Sequence, residues 1–307
     1  MYSAFCRLSQ GLVPQMATKR LAATKSKPAP KKIPSWATEH FRESLNSLEL
    51  LTQLIHISSK GIRTLRGMPK IVKVLADYEG KSSDPEAVKD LERAEKEAAL
   101  ATNEVEKDFP VLHGLAVVAL WSWMEHFVKG FLVLWLMNRR DAMSAPAVQK
   151  LRVKLGDYLQ LRKEEQAHFL IDLLEQDLAS SLKRGVTRFE SLLAPFNLSF
   201  AVSTDTGKLL FELQQIRNAI AHRNGRVDRR LKADCPWLKL KLNEPVRVSQ
   251  TMLRAYSTAA SEFLLAFLYR VGDTYTLDLR PTEPGAPSPS IETKSPGKLA
   301  AAAHTKS

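Results

Sequence analysis

Apolar residues recur at helical spacing through most of the middle of the chain. Phe41, Leu45, Leu48, Leu51, Leu54 and Ile55 form one stripe that begins after Trp36 and fades near Gly61, and a short helix over 70–78 follows Pro69. Ser83-Asp84-Pro85-Glu86 opens the next helix, with proline in the first turn where its missing N–H does no harm. That helix runs to about Asp108 and carries eight acids against four bases from Glu86 onward, the mark of a solvated face. Residues 111–137 are the most apolar stretch. Glu125, His126 and Lys129 interrupt it, so each uninterrupted run is too short to span a bilayer, and the stretch reads as the central helix of a soluble bundle. Helical spacing returns over 146–160, 163–183 and 186–196, then a loop over 197–207 leads into a long helix beginning near residue 208. Residues 227–246 contain Pro236, Pro245 and alternating Leu238-Lys239-Leu240-Lys241-Leu242, which predicts either a short strand or an extended strap. A last helix over 248–271 closes the fold. The expected class is all-α.

Composition adds direction. The chain has 307 residues, 44% of them hydrophobic, with a formal charge of +12 and a pI near 9.7. That balance points to an acidic partner. Cys6 and Cys235 are too far apart to suggest a metal or disulfide spacing, which fits a reducing compartment such as the cytoplasm. Residues 1–33 hold seven Lys or Arg and no acid, consistent with a disordered leader with Met16 as an alternative start, a basic arm or a transit peptide. From Pro281 onward five prolines and the Ala300–Ala303 run make a disordered tail. No Gly-rich phosphate loop, metal-spaced His or Cys cluster or Gly-x-Ser-x-Gly elbow is present, so no cofactor or metal is expected.

The chemistry concentrates at one helix end. Leu209, Leu210, Leu213, Ile216 and Ile220 continue one amphipathic pattern through His222, and Asn224-Gly225 stops it. His222 thus falls in the last turn, where free carbonyls and the macrodipole favour the imidazolium. Asn218 and His222 are four apart and share a face. Arg217 lies about 100° round the axis from Asn218, able to border that surface without touching His222. Its planar fork suits phosphate oxygens. Arg223, Arg226, Arg229 and Arg230 follow, with Asp228 opposing them. Arg162 and His168 meet the same loose spacing, but Lys163 sits between them in a charged helix with no stop signal, and the pair is set aside.

The run Arg217-Asn218-x-x-x-His222 closing a helix resembles the active motif of the HEPN superfamily (higher eukaryotes and prokaryotes nucleotide-binding). The resemblance extends to Phe189-Glu190-Ser191-Leu192-Leu193-Ala194-Pro195-Phe196 upstream, and to Asp228 and Asp234-Cys235-Pro236-Trp237-Leu238 downstream. It covers residues 109–271 and implies a HEPN-like helical bundle there, preceded by an additional N-terminal helical segment over 36–108. It further implies a metal-independent endoribonuclease in which Arg217, Asn218 and His222 are catalytic, completed by a two-fold homodimer. A toxin–antitoxin or antiviral setting is implied too, with an antitoxin or other protein as partner and no membrane. Glu125 matches the acidic residue found on the family's first helix. Its partner is an arginine such as Arg217, a group elsewhere in the fold, or water on an exposed stripe. Arg223, Arg226, Arg229 and Arg230 are expected to bind RNA. The alternative is a non-catalytic module of the same shape that binds RNA or a protein.

Overall fold

A computed structural model of the chain describes residues 32–179 and 185–280. The expected tail lies outside these residues, as does the leader except for Lys32 and Ile33. The long helices are α1 (Ser35–Leu65), α2 (Met68–Tyr78), α3 (Pro85–Glu106) and α4 (Pro110–Asn138). Short α5 (Arg140–Met143), α6 (Pro146–Gln149) and α7 (Leu155–Gln160) lead to α8 (Lys163–Ala179) and α9 (Val186–Leu193). Then come α10 (Thr204–His222), α11 (Arg229–Asp234) and α12 (Gln250–Thr274). The described secondary structure is thus all-α, apart from one isolated bridge between Arg226 and Pro245. The described residues up to Asp278 belong to one compact unit.

Helix α4 is the axis of the bundle. It packs against α1, α8, α10 and α12, and its buried residues lie on several faces, which explains its lack of a polar side. By length and composition alone it could cross a membrane. Its aromatic residues knit three helices together. Phe131 meets Phe267 of α12 edge-on at 4.8 Å between ring centroids, and Phe41 of α1 contacts Phe127, Phe131 and Phe267. His40 stacks on Phe127 and donates its Nε2–H to the Phe127 carbonyl at 2.9 Å.

The turn before α4 ties it to the start of α12. Asp108 and Phe109 adopt left-handed conformations (φ 59° and 55°), unusual for two consecutive residues that are not glycine. Both are held: Phe109 is buried and takes Glu104 as its backbone acceptor, while the Asp108 carboxylate accepts from the Gln250 N–H at the start of α12. Glu104 in turn accepts from the Val111 N–H.

Three expectations change. The helix expected over 146–160 is broken into α6 and α7 with extended residues between them. Val148 is buried, but Leu155 and Leu159 are 64% and 65% exposed, and a helix end that buries no stripe has only weak local propensity to lengthen it. The expected loop over 197–207 is shorter, because Ser203 caps α10 by accepting from the Thr206 N–H. No strand forms at Leu238–Leu242. Lys239 turns left-handed (φ 52°) after a 3₁₀ turn at Pro236–Leu238, and the strap pairs instead through Asn243–Val246 with Gly225–Val227.

Candidate active site at the end of helix α10

Helix α10 buries Leu210, Leu213, Ile216 and Ala219 in the core together with the polar Glu212, Gln214 and Gln215. It ends where expected. Arg223 and Gly225 both donate backbone N–H to the Ala219 carbonyl, at 3.0 and 3.1 Å, with Asn224 and Gly225 left-handed (φ 53° and 65°). Gly225 then accepts from Val246, fixing the strap beside the helix end.

Arg217, Asn218 and His222 come together there. Nη1 of Arg217 donates to Oδ1 of Asn218 at 3.2 Å and lies 3.3 Å from Nε2 of His222. The expectation that Arg217 would not reach His222 is therefore corrected: its long side chain spans the four residues between them. Guanidinium has no acceptor, so a hydrogen bond here runs from Nη1–H of Arg217 to the ring nitrogen of His222. Arg217 is 22% exposed, and its Nε is buried with no hydrogen-bond partner among the described residues. His222 is exposed.

Glu125 of α4 faces this site. Its Oε2 lies 3.9 Å from Nη2 of Arg217, while its Oε1 accepts from Arg188 of α9 at 3.3 Å. The arginine it pairs with most closely is thus Arg188, which the sequence reasoning did not single out. The signal was faint: Arg188 is a lone base beside the Phe189–Phe196 stretch, 63 residues from Glu125.

The four flanking arginines are strung along the strap. Arg223 lies 3.5 Å from Asp228, Arg230 lies 3.6 Å from Asp234, and Arg226 donates to the Asn243 carbonyl at 2.8 Å. Arg229 is exposed at the start of α11, whose N-terminus Asp228 caps by accepting from Leu231 N–H. Below the strap Glu212 is buried and accepts from Tyr256 O–H and Trp237 Nε1–H, both at 2.5 Å. Burial, then the Glu212 carboxylate, pushes the Tyr256 phenol well above its ordinary range. Cys235, also buried there, has its thiol pushed up to about 12, chiefly by desolvation, which keeps it unreactive. Trp237 is half out of the core, with the Lys208 ammonium over its ring. Arg162 and His168 are both exposed, and Arg162 pairs with Glu165, away from any such cluster. Among the described residues no group of His, Cys, Asp and Glu could hold a metal ion.

No family model, curated protein or solved structure matches the chain.

Proposed function

We propose that the protein is a metal-independent endoribonuclease of HEPN type, acting as a homodimer on RNA in the cytoplasm. The observation that carries this reading is the meeting of Arg217, Asn218 and His222 at one helix end, with the fixed cation of Arg217 3.3 Å from Nε2 of His222. An unprotonated Nε2 can take the proton of a ribose 2′-hydroxyl, and the guanidinium can neutralise the charge that builds on the phosphate as that oxygen attacks; the bond from phosphorus to the 5′-oxygen then breaks and that oxygen leaves as a hydroxyl, taking a proton from the imidazolium so formed or from a second copy's histidine. Asn218 holds the guanidinium. The arginines of the strap supply a cationic path beside the site, as RNA binding requires. A role in toxin–antitoxin or antiviral defence, with a protein partner that restrains the nuclease, belongs to the same reading.

The reaction tests it. Because the substrate supplies its own nucleophile, cleavage should persist in EDTA, leave a 2′,3′-cyclic phosphate and spare DNA, which lacks the hydroxyl. His222→Ala should remain folded and cut RNA roughly 10²–10⁴-fold more slowly. Equal cutting of DNA, or wild-type cleavage by that variant, would replace the nuclease by a binding module.

A further inference from the structure

Glu125 stands between two arginines but bonds unequally to them. The 3.3 Å contact with Arg188 is a hydrogen bond; at 3.9 Å the contact with Arg217 is Coulombic only. Arg188 also donates to Oε1 of Glu175 at 2.6 Å. The other oxygen of Glu175 meets Lys129 at 2.5 Å, and Lys129 reaches Asp172 at 3.4 Å. Six charges therefore alternate in sign from Arg217 to Asp172, across α10, α4, α9 and α8. Arg217, Glu125 and Glu175 are each less than a quarter exposed, so water screens the inner part of this ladder incompletely.

Arg188 is itself placed by the helix that carries the motif. Three residues before it, Gly185 donates its N–H to Oε1 of Gln214 at 2.6 Å. Gly185 has φ +64°, and a Cβ there would come within 3.0 Å of the Phe211 ring. Gln214 lies one turn before Arg217 on α10. The start of α9 is thus registered on α10 by a contact that only glycine allows.

We propose that Arg188 is a positioning residue that keeps Arg217 open to an anionic oxygen of RNA, an inference that rests on the assignment of Arg217 to phosphate. Arg188 holds Glu125 by a charge-assisted hydrogen bond on the side away from the motif. Without it, Glu125 keeps its charge in a poorly screened site, and Arg217 is the cation within reach. A shift of less than 1 Å would bring the pair to hydrogen-bond length, and a carboxylate bound to the guanidinium fork competes directly with phosphate for it. The buried Arg217 Nε has no hydrogen-bond partner among the described residues, so the protein leaves this guanidinium one donor short.

Four full-length variants test the assignment: Arg188→Gln, Arg188→Lys, Glu125→Gln and the double Arg188→Gln/Glu125→Gln. Binding of an RNA oligonucleotide blocked at the 2′-hydroxyl is measured at low salt, with circular dichroism confirming the fold. Arg188→Gln should bind roughly 10–100-fold more weakly, the worth of one charge-assisted hydrogen bond turned against the ligand. Arg188→Lys should lose less, Glu125→Gln should bind no more weakly than wild type, and the double variant should recover near wild-type binding. A merely structural Arg188 would give a double variant at least as weak as Arg188→Gln, and that result overturns the proposal, as does Arg188→Gln binding like wild type. Titration of the Arg217 Nε–H resonance with inorganic phosphate separates the two readings. If wild type binds no RNA, the nuclease assignment falls, while the same rank order, or its absence, among phosphate affinities still decides the role of Arg188.

Discussion

At the scale of single residues, the site and its support differ in what each demands of its neighbours. Glu212 is a carboxylate buried under the strap, satisfied by two neutral donors, Tyr256 and Trp237. Removing the Tyr256 hydroxyl leaves it with one. Tyr256→Phe should therefore destabilise the fold by about 1–3 kcal/mol, the cost of a buried polar group losing a partner, read as a lower urea midpoint with unchanged slope. Combining it with Glu212→Gln should soften that loss, since an amide carries no charge to stabilise; additive losses would remove this account. Arg217, Asn218 and His222 were legible in the sequence because they lie on one helix with a clear stop signal. The bond between Arg217 and His222 was not, because it depends on the rotamer of a long side chain. Arg188 was less legible still: nothing local marks a residue whose partners sit on two other helices.

At the scale of elements, the long helices follow from periodicity and caps, and departures occur where burial or a cap decides. The later part of the 146–160 stripe, Leu155 and Leu159, is exposed and no single helix forms, whereas Ser203 starts α10 earlier than the apolar pattern alone suggests. The packing of α1 on α4 was beyond reach, since periodicity names a face but not its partner. That packing holds His40 against Phe127. Burial lowers its pKa below 6.5, with His126 adding to the effect, while the hydrogen bond to Phe127 and the charge of Glu43 oppose it. For a histidine lowered in the folded state, the unfolded chain binds the proton first as pH falls. Stability is therefore unaffected by His40 well above pH 6.5, declines as pH drops through the unfolded value of about 6.5, and levels off below the folded value. His40→Gln keeps a donor for the Phe127 carbonyl but cannot titrate. Between pH 7.5 and 5 it should lose less stability than wild type in urea unfolding; an identical loss would assign the pH dependence to other groups.

At the scale of the whole molecule, one histidine and one arginine are few groups for a reaction that needs a base, an acid and a cation. A two-fold axis beside α10 would supply a second set by symmetry, since an isologous interface presents the same surface twice. The surface next to the motif suits such a contact. Helix α4 approaches α10 at Gly114, where an added Cβ would touch Ile220 at 3.7 Å. On the same helix Val111 and Leu115, one turn apart, are 64% and 63% exposed. A second copy packed on this face of α4 would cover both side chains. Light scattering at micromolar concentration should therefore report a dimer for the wild type. Leu115→Glu, exposed enough to leave the monomer folded, should place two like charges near the axis, yield a monomer, and lose RNA cleavage with His222 and Arg217 both intact. A monomeric wild type that still cuts RNA would show that one copy suffices, and a dimeric Leu115→Glu protein would move the interface to another face.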